Sequence, residues 1–437
     1  MIKQLYHFIS LIKQAAKSEF SRDVATLFSG TALAQIIPLI ITPILTRIYT
    51  PSDYGVLAVF LAFTSLCAIV ATLRYDVAIL LPADDNNAMA LTMLCGLCVL
   101  CVAIIIVLFI FIFHHSLLHI LNNSAIGSWI YLVPLCVAFI GWSNAINYWL
   151  NRHKQFRKLA INRVFGSLIA ATASLVFGFA GLRYVGLILA VIIGQFLAFA
   201  MLLAWTWNDI LKNLRRMKWA ILVQTAISYR KFPIFSLPSD AINSLSQQLP
   251  ILMLNRFFGA MIVGHFSFSQ KILGMPLNLL SQSVSDVFKQ RASEDYSNLG
   301  NCKDIFNKTS KFLLALSIVP LIVIFIFAPV IFKILFGEAW EQAGQYSRYL
   351  APLYIFRFIV SPLSYVFYIA NRQDADLIGQ IGLLFVSVGS MIFGMYMKNP
   401  DAAIISFSLG YISVYMFYFW GARNLSFGKS FVIINES

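Results

Sequence analysis

The sequence predicts an all-α integral membrane protein: about twelve transmembrane helices in two six-helix bundles, related as a parallel pseudo-repeat around a central cavity. Three observations predict it. Hydrophobic residues make up 59% of the 437 and charged residues only 11%, far from the balance of a soluble domain. Twelve apolar windows of spanning length can be laid along the chain, with none of the short alternating segments of a closed barrel. The basic residues, finally, change sides as those windows require.

The windows fall at 24–46, 54–73, 88–113, 126–150, 164–182, 184–207, 232–255, 260–285, 312–336, 345–370, 377–397 and 402–422. With the N-terminus on side one, twenty-four of the 32 Lys and Arg residues lie in side-one segments. Side two receives only Arg47, Arg183, Arg256, Lys333, Arg348 and Lys398. A missed helix would scramble this alternation. By the positive-inside rule both termini are expected in the cytoplasm. The net charge of +14 is therefore topological, and no nucleic-acid partner is expected.

In chain order, residues 1–23 are expected to form a cytoplasmic interfacial segment. Ile2, Leu5, Ile9 and Ile12 share one helical face, and Lys3, Lys13 and Lys17 stand off it. No uninterrupted apolar core marks a cleaved signal. Gln35, Pro38 and Pro43 interrupt the first window. Cys95, Cys98 and Cys101 in the third have metal-like spacing without a fourth ligand, which reads as core packing. His114, His115 and His119 on the next loop lack the carboxylate that would favour zinc, so no metal is expected. Trp142, Asn144 and Asn147 in the fourth window suit sugar faces and hydroxyls, or equally an aromatic belt with helix-end caps.

The interval 208–231, with Arg215, Arg216 and Lys218, is read as a hydrophilic cytoplasmic linker. It divides an N-terminal bundle (24–207) from a C-terminal bundle (232–422), and 423–437 follow as a cytoplasmic tail. Six spans per half start both halves on the same face, so any repeat is parallel. Leu45-Thr46-Arg47-Ile48-Tyr49 with Gly55 aligns with Leu254-Asn255-Arg256-Phe257-Phe258 with Gly264, at a constant offset of 209.

The seventh window is the most polar. Asp240, Asn243, Ser244 and Gln247 recur at i, i+3, i+4 and i+7, one helical stripe. Pro233, Pro238 and Pro250 are expected to kink that helix and free carbonyls toward a cavity. A polar seam between helices is the alternative. Lys271, beside Gln270, and Arg357 are the two cations about halfway along their windows, each about 18 Å from its side-two end at 1.5 Å per residue. A lone cation at bilayer depth costs roughly 2.5–3.5 kcal/mol on insertion scales and usually faces a pathway. Arg offers phosphate a bidentate grip and Lys a point charge. Pairing of one of them with Asp240 is the structural alternative, and it leaves the other cation over. Gly428-Lys429-Ser430 lacks the earlier glycine of a phosphate loop. No catalytic signature and no cofactor is expected.

Residues 47–55, Arg-Ile-Tyr-Thr-Pro-Ser-Asp-Tyr-Gly, resemble the polysaccharide flippase family of the multidrug/oligosaccharidyl-lipid/polysaccharide exporter superfamily. Its members show R-x-Y-T-P-x-x-Y/F-G after the first span, matched here by Arg47, Tyr49, Pro51, Tyr54 and Gly55. The run Leu73-Arg74-Tyr75-Asp76-Val77-Ala78-Ile79-Leu80-Leu81-Pro82 is similar to the bacterial lipopolysaccharide branch. The resemblance implies a transporter, not an enzyme, in the bacterial inner membrane. Its implied cargo is an undecaprenyl-pyrophosphate-linked oligosaccharide, an O-antigen or related repeat unit. This would move from the cytoplasmic to the periplasmic leaflet by alternating access. Partners implied are lipid-linked oligosaccharide, membrane lipids and polysaccharide polymerase or chain-length machinery.

On the physical argument alone, Lys271 and Arg357 would meet the pyrophosphate, and Asp240, Asn243, Ser244, Gln247 and Gln270 would line the cavity. Asp240 is the carboxylate available for H+ or Na+ coupling. A cationic-drug antiporter would want buried carboxylates, and at mid-span the chain holds one acid, Asp240, against two bases. A peptidoglycan lipid flippase shares the anionic-cargo logic. A glycan polymerase or ligase would need a large side-two loop, and the longest is about 114–125.

Overall fold

Lipid offers no partner to a backbone N–H or C=O, so a chain this apolar has to close its hydrogen bonds internally. The computed structural model describes residues 19–121, 125–214, 219–370 and 372–428. Among these residues helices do that work and no strand occurs. In order they are α1 (Glu19–Ile48), α2 (Pro51–Ile69), α3 (Tyr75–Ala78), α4 (Asp85–Leu121), α5 (Val133–Arg152), α6 (Phe156–Phe179), α7 (Arg183–Leu214) and α8 (Trp219–Ser228). Then follow α9 (Leu237–Phe258), α10 (Ala260–Leu299), α11 (Lys303–Phe336), α12 (Glu341–Leu363), α13 (Val366–Ile369), α14 (Gln373–Met397) and α15 (Pro400–Ser426).

Among the described residues, ten helical stretches are both long enough and apolar enough to cross a membrane. Two more, α9 and α10, have the length but are too polar to qualify by apolarity. They are the seventh and eighth windows, where the polar stripe and Lys271 lie, and with them the twelve expected spans are present. The expected N-terminal interfacial face, Ile2 to Ile12, lies outside the described residues, as does the tail beyond 428.

One expectation needs correction. The interval 208–231 is not a hydrophilic linker throughout, because Trp219–Ser228 forms a short apolar helix. Leu222 and Thr225 are its buried side, and the Ala226 carbonyl accepts a hydrogen bond from Tyr75 Oη at 3.2 Å. Counting charges over the whole interval hid a ten-residue, mostly apolar helix between two basic clusters.

The chain forms two compact units. The first takes the residues up to Thr42, Cys67–Ile112 and Tyr131–Leu237. Its core gathers Tyr75, Ile79, Met89, Ile146, Trp149 and Leu202. The second takes Pro43–Leu66, Phe113–Ile130 and everything from Pro238 onward. Two of these boundaries coincide with weak points of helices: Pro43 in α1, and Phe113, whose φ of −104° and ψ of 17° interrupt α4. The bundle division at 24–207 and 232–422 follows chain order, whereas these units draw two first-half segments into the second.

Within the second unit, α2 crosses α10 at backbone contact. A Cβ on Gly55 would overlap the Ala260 carbonyl oxygen, and one on Gly264 would overlap that of Pro51. At the offset of 209, Pro51 corresponds to Ala260 and Gly55 to Gly264. The two contacts are therefore reciprocal, as a local two-fold relation between repeats requires and chance identity does not.

Candidate functional site

Lys271 and Arg357 both lie in the second unit, on α10 and α12. The link between them is Tyr354, one turn before Arg357. Its hydroxyl donates to the Gln270 carbonyl at 3.3 Å, and a Cβ on Gly274 would lie 3.6 Å from its ring. The Arg357 guanidinium sits over that same ring, 5.9 Å from its centroid. Around Arg357 stand the phenols of Tyr354, Tyr411 and Tyr415. Tyr411 and Tyr415 are separated by one turn of α15, their ring centroids 6.1 Å apart.

Neither cation is paired with Asp240: among the described residues no carboxylate forms an ion pair with Lys271 or Arg357. The structural alternative from sequence is thereby removed. Both side chains are half-buried. Depth is less well matched than expected. Measured from the helix starts at Ala260 and Glu341, Lys271 is about 16 Å along and Arg357 about 24 Å. Because α12 begins four residues before the tenth window, the two levels differ by one to two turns.

The polar stripe of α9 is partly self-satisfied. Gln247 Nε2 donates to Asn243 Oδ1 at 2.7 Å, and Ser246 Oγ donates to the Asn243 carbonyl at 2.7 Å. Asp240 and Ser244 are half-buried on the same helix. The π-turn Phe232–Ser236 falls at Pro233, so the expected distortion is present. The freed carbonyl is not directed into a cavity, however. Pro250 lacks the N–H that would bond the Ser246 carbonyl, and that oxygen is taken by Ser387 Oγ at 2.7 Å and Tyr411 Oη at 3.0 Å. Pro329 repeats the device: the Phe325 carbonyl it frees accepts from Arg348 Nε at 2.9 Å. Proline here creates acceptors that a neighbouring helix supplies, as buried carbonyls demand.

A carboxylate missed from sequence is Asp376 on α14. Tyr368 Oη donates to Oδ2 at 3.2 Å, and Tyr418 Oη reaches Oδ1 at 3.2 Å and the Asp376 carbonyl at 2.8 Å. Beside Asp374 it reads as an ordinary first-turn acid. The signal available was on α15, where Tyr411, Tyr415 and Tyr418 share a face at i, i+4 and i+7.

In the first unit, Trp142 does not end a helix in an aromatic belt. Its indole lies against Gly96, where any Cβ would overlap it. Asn144 is exposed and Asn147 half-buried on the same helix. The run 73–82 turns on Leu73 and Arg74, both at positive φ (48° and 63°), a conformation that costs non-glycine residues about 1–2 kcal/mol each. Surrounding bonds hold it in place. Thr72 Oγ1 donates to Asp76 Oδ1 at 2.9 Å, and Arg152 donates to the Pro82 and Ala83 carbonyls at 2.7 and 3.2 Å while its Nε meets Asp85 at 2.9 Å.

The motif at 47–55 is a helix start and a clasp. Thr50 and Asp53 form a capping box: the Thr50 N–H donates to Asp53 Oδ2 at 2.9 Å and the Asp53 N–H to Thr50 Oγ1 at 3.2 Å, with Pro51 at the first helical position. That cap diverts the Thr50 N–H from the Thr46 carbonyl, which accepts instead from Trp340 Nε1 at 3.0 Å. Tyr54 and Phe268 flank the buried Trp340 ring at 5.1 and 4.3 Å. Tyr49 is buried and Arg47 exposed. Among the described residues no cluster of three or more His, Cys, Asp or Glu is placed to hold a metal.

The fold is shared with solved membrane transporters. An inward-facing multidrug resistance MATE family transporter of the MOP superfamily superposes with a TM-score of 0.69 at 17% identity, covering 91% of this chain and 93% of that one. The lipid II flippase MurJ superposes with a TM-score of 0.69 at 12% identity, covering 91% and 90%. A MOP superfamily transporter from Pyrococcus furiosus, described as having a binding pocket of reverse polarity, gives 0.61 at 13% identity over 94% and 96%. Helix order and these superpositions define a multi-pass helical membrane protein of the MOP exporter fold.

Within that fold the chain belongs to the polysaccharide biosynthesis protein family, matched over residues 44–345. Its relatives include the amylovoran biosynthesis protein AmsL of Erwinia amylovora, 27% identical over 139 residues, 32% of this chain and 35% of that protein. The teichuronic acid biosynthesis protein TuaB of Bacillus subtilis is 27% identical over 157 residues, 36% and 32%. The chain thus matches about a third of the length of these curated relatives.

Proposed function

We propose that this protein is a flippase that carries undecaprenyl-pyrophosphate-linked oligosaccharide from the cytoplasmic to the periplasmic leaflet of the bacterial inner membrane by alternating access. The observation that carries the reading is the pair Lys271 and Arg357. Both are cations within spanning helices, and neither has a carboxylate partner among the described residues. Uncompensated cations at that depth persist where an anion is met.

The chemistry of the surroundings fits a diphosphate attached to sugar. Each unpaired hydroxyl in hydrocarbon costs several kcal/mol and a phosphate more. Lys271 supplies a point charge and Arg357 a planar fork, while the half-buried Tyr415 beside Arg357 offers a ring and hydroxyl suited to a sugar. The lipid tail has no need to leave the bilayer. MurJ is named a lipid II flippase, so an anionic lipid-linked cargo is compatible with the fold. A drug antiporter would need acids where these bases stand. If transport is driven uphill, Asp240 is the expected H+ or Na+ carboxylate, with Asp376 as a second.

The test is reconstitution of the purified protein with fluorescent undecaprenyl-pyrophosphate oligosaccharide in liposomes, reading the fraction accessible from outside. Lys271→Ala and Arg357→Ala should each abolish flipping, and surface glycan in cells, with the protein still inserted. Unimpaired flipping in both variants would end the proposal.

A further inference from the structure

Side two holds six basic residues in the whole chain against twenty-four on side one. Two of those six, Arg256 and Lys398, open onto one recess of about 480 Å³, lined otherwise by Phe257, Phe258 and Met395. All five residues belong to the second unit, and none is part of the Lys271–Arg357 site. Two parallel helices end here. Arg256 is in the last turn of α9, and Lys398 follows α14 at φ 51° with its N–H bonded to the Met395 carbonyl at 3.0 Å.

Basic residues at helix C-termini are favoured in any case, so the charges have to be balanced. Each C-terminus carries about half a negative charge. The N-termini of α10 and α15 begin two to three residues further on and cancel those half-charges, while Asp401 in the first turn of α15 offsets one of the two cations, which leaves roughly one net positive charge at the recess. Arg256 Nη1 donates to the His119 carbonyl at 2.9 Å, which anchors the guanidinium at the rim. Lys398 makes no ion pair among the described residues.

The remaining lining is apolar, and its surroundings continue apolar. Phe257 and Phe258 stand edge to face at 6.5 Å. Beyond Met395, Tyr396 and Met397 are 82% and 53% exposed, an outward face suited to acyl chains. Cations at the level where α14 leaves the membrane, flanked by apolar side chains, match what an anionic headgroup requires. A soluble glycan would look for amides and hydroxyls, which this lining lacks.

We propose that the recess formed by Arg256, Lys398, Phe257, Phe258 and Met395 binds the phosphate of an anionic lipid headgroup on side two. The test is native mass spectrometry of the purified full-length protein, with dioleoyl-phosphatidylglycerol compared against dioleoyl-phosphatidylcholine. Lys398→Asn removes the charge with a residue that tolerates left-handed backbone. It should lower phosphatidylglycerol retention about fivefold and leave phosphatidylcholine unchanged; adding Arg256→Gln should lower it further.

A parallel titration of the delipidated protein with inorganic pyrophosphate separates the sources of phosphate. Saturable binding lost in Lys398→Asn would assign the recess to phosphate as such, and absence of binding would assign it to the intact lipid. Equal phosphatidylglycerol retention by the wild type, Lys398→Asn and the double variant would overturn the proposal. Lys271→Ala should retain phosphatidylglycerol like the wild type, so failure of the flippase reading would leave this result standing.

Discussion

Placing a methyl group on Gly55 tests the crossing of α2 and α10 directly. The added Cβ would lie 2.6 Å from the Ala260 carbonyl carbon and 3.0 Å from its Cα. The Ala260 carbonyl oxygen is closer still, and ordinary carbon contacts are about 3.5–4.0 Å, so the two backbones must part by well over ~1 Å, and no flexible side chain is available to yield instead. Overpacking of this kind costs typically about 1–3 kcal/mol. Gly264→Ala meets the Pro51 carbonyl carbon at 2.7 Å, so its cost should be similar.

The reciprocal geometry makes the double variant informative. The separation that relieves one methyl also makes room for the other. Gly55→Ala/Gly264→Ala should therefore cost well under the sum of the singles, with a coupling of about 1 kcal/mol or more. The assay is a thermal or dodecyl sulfate unfolding midpoint for wild type, both singles and the double in one detergent. Strictly additive losses, or one silent single, would refute the inference that these glycines share a single contact.

The carbonyl freed by Pro250 gives a rescue experiment. Ser387→Ala removes one of its two donors and should cost about 1 kcal/mol, whereas in a Pro250→Ala background, which restores the helical N–H, the same change should be nearly silent in the unfolding midpoint. Trp340→Phe keeps an aromatic ring but leaves the Thr46 carbonyl without its donor, and a loss of about 1–3 kcal/mol is expected in the same assay. Lys271→Met should raise the midpoint while abolishing flipping, since a cation without a carboxylate partner is retained at a cost in stability; a lowered midpoint would mark Lys271 as structural. Burial, then Asp295, pushes the Cys302 thiol up to about 11. In a variant keeping only that cysteine, alkylation at pH 8 should run about a hundredfold slower than for an ordinary thiol and accelerate toward pH 10, as the thiolate is the nucleophile.

Much of the architecture was legible because hydropathy and charge act locally. Twelve windows, their alternation and the polarity of the seventh and eighth need only composition along the chain. The short helix Trp219–Ser228 escaped for the same reason in reverse, since flanking charges dominated the interval's average. At the site, Lys271 and Arg357 were visible as isolated charges, but Asp376 was not, because an acid in a first helical turn needs no explanation until two tyrosines are seen on it.

Sequence alone determined that this chain is a multi-pass helical membrane protein with two deep cations and a 209-residue echo between Gly55 and Gly264. Insertion into lipid is decided residue by residue, by transfer free energies that do not depend on neighbours far along the chain. Tertiary structure alone decided what those residues touch. It set the two echoed glycines against each other, gave the Thr46 carbonyl to Trp340, and turned a proline-freed carbonyl toward Ser387 and Tyr411. Those pairings join positions up to 294 residues apart. They follow from unsatisfied backbone groups finding donors on helices whose adjacency no local pattern encodes.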